Sequence, residues 1–321
     1  MLMPVVLSLL FSIIFINFNS LTKNVSFTPP LKPDKIVQAL KIIKTKFYQL
    51  PRLDQPLGPV PRWSVKKQNQ EIDFEFSAQT GVILDGQDDS LFFAKRPDRP
   101  WPIASITKLF TAYVFLDYNP GWEKVYEIKA QDKRAGGKIY LFRGDRVTVK
   151  DLFYFSLVGS DNSATAALVR ATGFSEEEFV KKANQKIKAL GLKNTRIADT
   201  VGLQEGNFST AREVALFAKI AFAQAEISGA SLTKFYEFYT KQGRKKTIAS
   251  TNELLSEFPA KGISLQGGKT GYLENSGYCL VSQYKDAQNK TIVVVVLGAP
   301  TDGERFSLTK KLTDFYYQAK P

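Results

Sequence analysis

A serine and a lysine stand three residues apart at the head of a very apolar segment, "PIASITKLFTAYVFL" at residues 102–116. If the segment is helical, Ser105 and Lys108 lie on one face, one turn apart. A serine hydroxyl attacks well only when a neighbour takes its proton, and a lysine can do so once burial favours its neutral amine. The spacing alone is weak, because a helix whose lysine side chain reaches out to water gives the same pattern.

The chain of 321 residues contains no histidine and one cysteine, Cys279. These counts exclude a Ser-His-Asp triad, a Cys-His pair, an intrachain disulfide and histidine-ligated zinc. A side-chain base must then be Lys, Asp, Glu or Tyr, which strengthens the case for Lys108. If the chain is an enzyme, we expect it to work without a metal ion or another cofactor.

A second polar group, Ser160, Asp161 and Asn162, lies in "VGSDNSA" between two predicted helices. A loop serine could relay a proton to a leaving group, and the asparagine amide could hold Lys108 or the substrate. Serine, aspartate and asparagine are also the favoured residues at helix starts, so an ordinary helix cap is the alternative interpretation.

A third group, Lys269, Thr270 and Gly271, lies in "GGKTGYL" on a predicted strand. Alternation along the strand puts Lys269 and Gly271 on one face and Thr270 on the other. A lysine and a hydroxyl could bind a carboxylate, and glycine lets another backbone come close. A surface lysine at a strand end is the alternative.

The three groups occur in the order S-x-x-K, S-D-N and K-T-G, as in class A β-lactamases and penicillin-binding proteins. Beyond these motifs, residues 76–316 resemble the low-molecular-mass penicillin-binding proteins that are serine D-alanyl-D-alanine carboxypeptidases. The likeness includes "LFRGDRVTVKDLFYFSLVGSDNSA", "ALGLKNTRIADTVGL" and "GGKTGYLENSGYCLVSQ". It implies an enzyme that removes the terminal D-Ala from peptidoglycan stem peptides ending in D-Ala-D-Ala and that β-lactams inhibit covalently.

The resemblance also implies roles for residues around the nucleophile. Ser105 would form the acyl-enzyme and Lys108 would be its general base. Ser160 would relay a proton, and Asn162 would complete the second motif on the substrate-binding side.

For the substrate, the resemblance implies that Lys269 and Thr270 bind the terminal carboxylate beside Gly271. The N–H groups of Ser105 and Tyr272 would form the oxyanion hole. Arg305, in "GERF", stands where the family places an arginine that contacts the carboxylate. An exposed residue in the first turn of a helix is the alternative for Arg305.

Two other activities are weighed against the carboxypeptidase. The motifs do not separate it from a DD-endopeptidase that cleaves peptidoglycan crosslinks. Asp161 stands where many carboxypeptidases have glycine and is the β-lactamase-like residue. A class A β-lactamase would also need a later glutamate in an E-x-x-L-N setting, and Glu205 has different neighbours. A β-lactamase is therefore the less favoured alternative.

Strand patterns at both ends of the main domain enclose a helix-rich middle. Two strands are predicted within residues 71–96 and three within 263–300, with helices near 105–117 and 304–318. Two capping boxes predict further helix starts, at Ser175–Glu178 and Thr210–Glu213. The expected fold class is α+β, with an antiparallel sheet built from N- and C-terminal segments and packed against a mainly helical lobe, as in the β-lactamase/transpeptidase fold.

The net charge of +13 is distributed unevenly along the chain. Between residues 20 and 70 there are ten Lys or Arg and two acidic residues, an excess of eight positive charges. Most of the excess thus lies outside the main domain, whereas a nucleic-acid-binding domain presents a basic face of its own. We expect no nucleic-acid partner.

Three segments are predicted along the chain. Residues 1–20 carry no charged side chain and are expected to be a membrane anchor or signal peptide, with the uncleaved anchor favoured. Residues 21–71 form a basic juxtamembrane arm, with one helix over 34–50 and a proline-rich linker. Residues 72–321 form the serine DD-peptidase catalytic domain.

The basic residues that follow the apolar N-terminal run would, by the positive-inside rule, place the main domain in the cytoplasm. Peptidoglycan peptides lie outside the bacterial cytoplasmic membrane, so the resemblance implies the opposite side. We expect the domain on the outer face of that membrane, attached through its N-terminal segment. Relatives often carry a C-terminal amphipathic anchor, and the expected attachment here is N-terminal instead.

Overall fold

The structure, a computed structural model, describes residues 72–136, 138–257 and 262–319. The strands are β1 (Thr80–Asp85), β2 (Leu91–Lys95), β3 (Trp101–Pro102), β4 (Val125–Glu127), β5 (Arg146–Thr148), β6 (Phe208–Ser209), β7 (Phe235–Tyr239), β8 (Lys245–Ala249), β9 (Ile263–Leu273), β10 (Gly277–Asp286) and β11 (Thr291–Ala299). The helices are α1 (Thr107–Asp117), α2 (Val149–Val158), α3 (Asn162–Ala171), α4 (Glu176–Ala189), α5 (Ala211–Phe222), α6 (Ala225–Ser231), α7 (Leu254–Glu257) and α8 (Asp302–Ala319).

The predicted anchor at residues 1–20 and the predicted arm at 21–71 both lie outside the described residues. Within the described ranges, none of the helices has both the length and the apolar character that a membrane crossing requires.

The main sheet has five antiparallel strands in the order β2-β1-β11-β10-β9. The first two strands of the chain thus pair with the last three, across the β1–β11 ladder that sets Thr80 opposite Leu297. At the other edge, β9 pairs with β10 so that Gly271 faces Cys279. The predicted sheet of N- and C-terminal segments is confirmed, and its outer strand is the one that carries the third motif.

The central strand β11 is buried on both faces, which explains its unbroken run of apolar residues. Val293 and Val295 point into a core shared with the helical lobe, whereas Val294 and Val296 belong to a second core. That second core is completed by α8, including Leu312. Helices therefore cover both faces of the sheet, and the functional residues lie where the lobe meets the β9 edge.

Helix α1 runs through the middle of the helical lobe and is apolar on most sides. Its Phe110 stacks on Phe217 of α5, with ring centroids 3.7 Å apart. The helix was predicted to begin at residue 105, but the structure places Ser105 in a short 3-10 helix, Ala104–Ile106, just before α1. Ala104 has φ of 45°, a left-handed conformation that turns the chain sharply into this 3-10 helix.

The two predicted capping boxes have different outcomes. Ser175 and Glu178 exchange both bonds of the box at the start of α4. Thr210 caps α5 by accepting from the Glu213 N–H, but the Glu213 carboxylate turns away and accepts from Asn194 and Thr195. The carboxylate therefore ties the loop before β6 to α5, which is a tertiary use that local sequence does not predict.

Candidate active site

Ser105 and Lys108 meet as their spacing predicted. Lys108 Nζ donates to Ser105 Oγ at 2.8 Å, to Asn162 Oδ1 at 2.7 Å and to the Val201 carbonyl at 2.7 Å. The lysine is completely buried, so the alternative in which it reaches out to water is wrong. Burial lowers the pKa of Lys108 to about 7, although the nearby charges of Asp161 and Asp199 act in the opposite direction.

The three acceptors around Lys108 determine what its neutral form can do. A neutral amine keeps two N–H bonds and one lone pair. The Asn162 amide oxygen and the Val201 carbonyl can only accept, so they hold the two remaining N–H bonds. The lone pair is then directed at Ser105 Oγ, the one neighbour with a proton to give. The arrangement can therefore withdraw a proton from the serine hydroxyl.

The second motif supplies both a helix cap and a site residue. Asp161 is the N-cap of α3, and its side chain accepts from the Ala164 N–H at 2.5 Å. Burial raises the pKa of Asp161. Asn162, the first residue of α3, donates to the carbonyl oxygens of Ala135 and Gly136, which aims its amide oxygen at Lys108. The cap interpretation is thus confirmed for Asp161, and the Asn162 amide contacts Lys108, whereas the proton relay by Ser160 stays a prediction.

Ser160 joins the second motif to the third. Its Oγ accepts from Lys269 Nζ at 2.8 Å, and the same nitrogen donates to the Thr270 carbonyl at 2.8 Å. Ser160 has φ of 58°, in the left-handed region that non-glycine residues rarely occupy. Lys269 is buried, which excludes a surface lysine at a strand end. Burial lowers its pKa well below the usual range, and the positive charges of Lys108 and Arg305 act in the same direction.

Within the third motif, Gly271 packs against the backbone of the nucleophile. A Cβ on Gly271 would lie 2.8 Å from the Ile103 carbonyl oxygen and 3.1 Å from Ser105 N, so glycine is what allows β9 to approach. Thr270 Oγ1 lies 2.5 Å from Thr251 Oγ1. Tyr272 is half-exposed, and its ring stacks on Tyr278 with 4.3 Å between centroids.

Arg305 comes from the first turn of α8 and is buried, so its interpretation as an exposed helix residue is wrong. Its Nη1 donates to the Gly271 carbonyl at 3.1 Å, and its Nη2 pairs with Asp302. The arginine therefore braces β9 directly behind the third motif. Its guanidinium also lies 5.4 Å from the centre of the Tyr278 ring.

A turn that begins at Asp199 was not assigned a site role by the sequence analysis. The Asp199 carboxylate accepts from the N–H groups of Val201, Gly202, Leu203 and Gln204. This turn presents the Val201 carbonyl to Lys108. Gly202 fits closely against the 3-10 helix, because a Cβ there would lie 2.0 Å from the Ala104 carbonyl oxygen. A backbone carbonyl acceptor cannot be predicted from residue type, because every residue has one. Gly202 indicates only that the chain makes a tight turn here.

The glutamate weighed for a β-lactamase lies on the same turn. Glu205 is exposed and accepts from Asn275 Nδ2 at 3.2 Å, across from the turn between β9 and β10. The Glu205 carboxylate is thus hydrogen-bonded to Asn275 rather than to Ser105 or Lys108.

An antiparallel sheet with helices on both faces, and three polar motifs gathered at its β9 edge, is the fold of penicillin-binding proteins and DD-transpeptidases. The crystal structure of a Streptomyces DD-transpeptidase superimposes with a TM-score of 0.67 and 26% identity, covering 76% of this chain and 98% of that one. The family model for D-alanyl-D-alanine carboxypeptidase matches residues 65–301. The chain belongs to this family of serine peptidases.

Two curated relatives carry different activities in their names. The chain is 32% identical over 259 residues to D-alanyl-D-alanine carboxypeptidase DacF of Bacillus subtilis, covering 78% of this chain and 64% of the relative. It is 34% identical over 243 residues to a D-alanyl-D-alanine endopeptidase of Haemophilus influenzae, covering 74% of this chain and 82% of the relative. Family membership therefore does not determine which peptidoglycan bond is cleaved.

Proposed function

We propose that this protein is a serine D-alanyl-D-alanine carboxypeptidase that releases the terminal D-Ala of peptidoglycan pentapeptide stems. The observation that carries the proposal is the 2.8 Å contact between Ser105 Oγ and a completely buried Lys108 amine. Burial favours the neutral amine, and its two other acceptors leave the lone pair for the serine proton. Membership of the carboxypeptidase family supports the choice of substrate.

In the proposed acylation step, Lys108 takes the hydroxyl proton while Ser105 Oγ attacks the carbonyl of the penultimate D-Ala. The oxyanion that forms accepts from the backbone N–H groups of Ser105 and Tyr272. The C–N bond then breaks, and the proton that Lys108 took passes through the Ser160 hydroxyl to the departing D-Ala amine, which leaves Lys108 neutral again. Lys269 stays hydrogen-bonded to Ser160 Oγ during this step. Water later attacks the acyl-enzyme ester, releasing the shortened stem and restoring the Ser105 hydroxyl.

The terminal carboxylate of the substrate is assigned to the β9 edge. Lys269 would supply the positive charge and Thr270 a hydroxyl donor. Arg305 is buried behind Gly271 and adds positive potential to the same place. The shared chemistry explains why penicillins, which also carry a carboxylate beside a reactive amide, would acylate Ser105.

The test is covalent labelling with a fluorescent penicillin, followed by an assay for free D-Ala with a peptide ending in D-Ala-D-Ala. The wild-type chain should give one adduct and release D-Ala, and Ser105→Ala should do neither while unfolding at a similar temperature. The absence of any Ser105-dependent adduct would refute the acyl-enzyme proposal.

A DD-endopeptidase is the second candidate, favoured by the H. influenzae relative, of which this chain covers 82%. Such an enzyme would use the same residues but accept a longer leaving group than D-Ala. Incubation with crosslinked muropeptide dimers and with pentapeptide monomers separates the two activities. Faster cleavage of dimers than release of D-Ala would assign the endopeptidase.

For location, we infer the bacterial cell envelope, with residues 72–321 as the catalytic domain on the outer face of the cytoplasmic membrane. The substrate supports this side, and the uncharged run at residues 1–20 supports attachment at the N-terminus. Cell fractionation with N-terminal sequencing of the mature protein tests the inference. An intact N-terminus in the membrane fraction is expected, whereas a cleaved soluble form would contradict the anchor.

A further inference from the structure

The turn that follows the β7–β8 hairpin brings Thr251 to the edge of the site. The Thr251 N–H donates to the Val158 carbonyl at 3.1 Å, the last residue of α2 and two residues before Ser160. Its Oγ1 lies 2.5 Å from Thr270 Oγ1. Thr251 therefore connects the end of α2, next to the second motif, with the third motif on β9.

The contact between the two threonine hydroxyls carries one proton between its oxygens. If Thr270 donates to Thr251, the Thr270 proton is used up within the protein. A substrate carboxylate offers acceptors only, so Thr270 can bind it with a hydrogen bond only by donating. The Thr270 proton is free for this purpose when Thr251 is the donor in the pair.

Several features suit Thr251 to the donor role. Its backbone is held by the bond to Val158, and a β-branched side chain has few rotamers, so its hydroxyl stays close to Thr270. Thr251 is partly exposed whereas Thr270 is buried, so water can satisfy the Thr251 lone pairs. The Thr270 carbonyl accepts separately from Lys269 Nζ, so it does not compete with the Thr270 hydroxyl for the Thr251 proton.

We propose that Thr251 is a positioning residue that orients the Thr270 hydroxyl towards the carboxylate of the substrate. The inference rests on the proposed function, because it takes a substrate with a free terminal carboxylate. It adds a residue outside the three motifs to carboxylate recognition, acting through Thr270.

The experiment is a double-mutant cycle on Thr251→Val and Thr270→Val, with Thr251→Ser as the conservative control. Valine keeps the shape of threonine but has no hydroxyl, and serine restores the donor. We measure kcat and KM for D-Ala release and, in parallel, the second-order rate of acylation by benzylpenicillin. Thermal unfolding establishes that each variant is folded.

Thr251→Val should lower kcat/KM about tenfold in the wild-type background, mainly by raising KM, because a hydrogen bond to a charged group is misdirected. In the Thr270→Val background the same change should cost less than about twofold, since there is no hydroxyl left to orient. Thr251→Ser should stay within about threefold of wild type.

An equal loss in both backgrounds, or no loss in either, would overturn the proposal, because the effect of Thr251 would then be independent of Thr270. Failure of the proposed function has a different signature, in which the wild-type chain itself releases no D-Ala. In that case the cycle is decided by the penicillin acylation rates, since benzylpenicillin also carries a carboxylate. A wild-type chain with neither reaction would overturn both proposals.

Discussion

Two buried lysines, one from the helical lobe and one from the sheet, contact the second motif in opposite electrostatic surroundings. Lys108 has amide and carbonyl acceptors and feels the negative charges of Asp161 and Asp199. Lys269 is equally buried, but the charges that act most on it, Lys108 and Arg305, are both positive.

The contrast shows how one residue type can serve two purposes. The carboxylates of Asp161 and Asp199 offset part of the effect of burial and keep the pKa of Lys108 at about 7, near the value that suits a general base. Burial and like charges disfavour the Lys269 cation and lower its pKa, so an arriving carboxylate would stabilise the charged form by pairing with it. Under the proposed function, the helical lysine exchanges protons and the strand lysine binds the substrate carboxylate.

The same substitution at both lysines tests whether their roles differ, beginning with Lys108→Arg. A guanidinium does not give up its proton at working pH, so acylation by a fluorescent penicillin should fall by about a thousandfold or more. Stopped-flow or quenched-flow labelling gives the acylation rate, and thermal unfolding establishes that the variant is folded. A rate within tenfold of wild type would show that another group activates Ser105.

The matched change at the other position, Lys269→Arg, should be milder. Arginine also pairs with carboxylates, so kcat/KM should fall by only about tenfold, whereas Lys269→Met should lose about a hundredfold with most of the loss in KM. Steady-state assays of D-Ala release separate kcat from KM. If Lys269→Arg were as inactive as Lys108→Arg, proton transfer would be essential at both lysines and the division of roles would be wrong.

The pH profile tests the state of Lys108 directly. The base acts when neutral, so the acylation rate should be constant above about pH 7 and fall as the pH drops below it, by about tenfold per pH unit. Rates between pH 5 and 9, with melting temperatures at each pH, provide the measurement. A profile without an acid limb near pH 7 would assign that pKa elsewhere.

The smallest expected effect belongs to Asp161→Asn. Asparagine still caps α3, but the negative charge that raises the pKa of Lys108 is removed, so the acid limb should move to lower pH. Below pH 7 the variant should react a few-fold faster than wild type, with little change at pH 8. A limb displaced to higher pH would contradict the electrostatic account of the helical lysine.

Much of the scaffold around the two lysines could be predicted from the sequence. β9 spans Ile263–Leu273, the same eleven residues as the predicted "ISLQGGKTGYL", because its turn and strand signals are local. The β7–β8 hairpin was not predicted: its burial alternates, but its chemistry is mixed aromatic and basic. The three motifs identified the side chains that cluster, because each motif is a short pattern of polar residues that can be recognised in the sequence.

The sequence did not predict the groups that reach the site residues only through tertiary contacts. The Val201 carbonyl is one of three acceptors for Lys108, yet any residue type provides a carbonyl. Thr251 has no distinguishing sequence pattern, and only the fold brings its Oγ1 to 2.5 Å from Thr270 Oγ1 on β9. The burial of Arg305 likewise depends on how α8 packs, because its local pattern also fits an exposed helix start.

The left-handed backbone at Ser160 has a consequence for protein engineering. A non-glycine residue at φ of 58° carries conformational strain, which Ser160→Gly would relieve while removing the hydroxyl that contacts Lys269. A library selected for heat resistance alone would therefore tend to enrich glycine here and discard the proposed proton relay. Thermostable variants of this fold are best chosen with turnover scored beside melting temperature, because at this position the two selections pull in opposite directions.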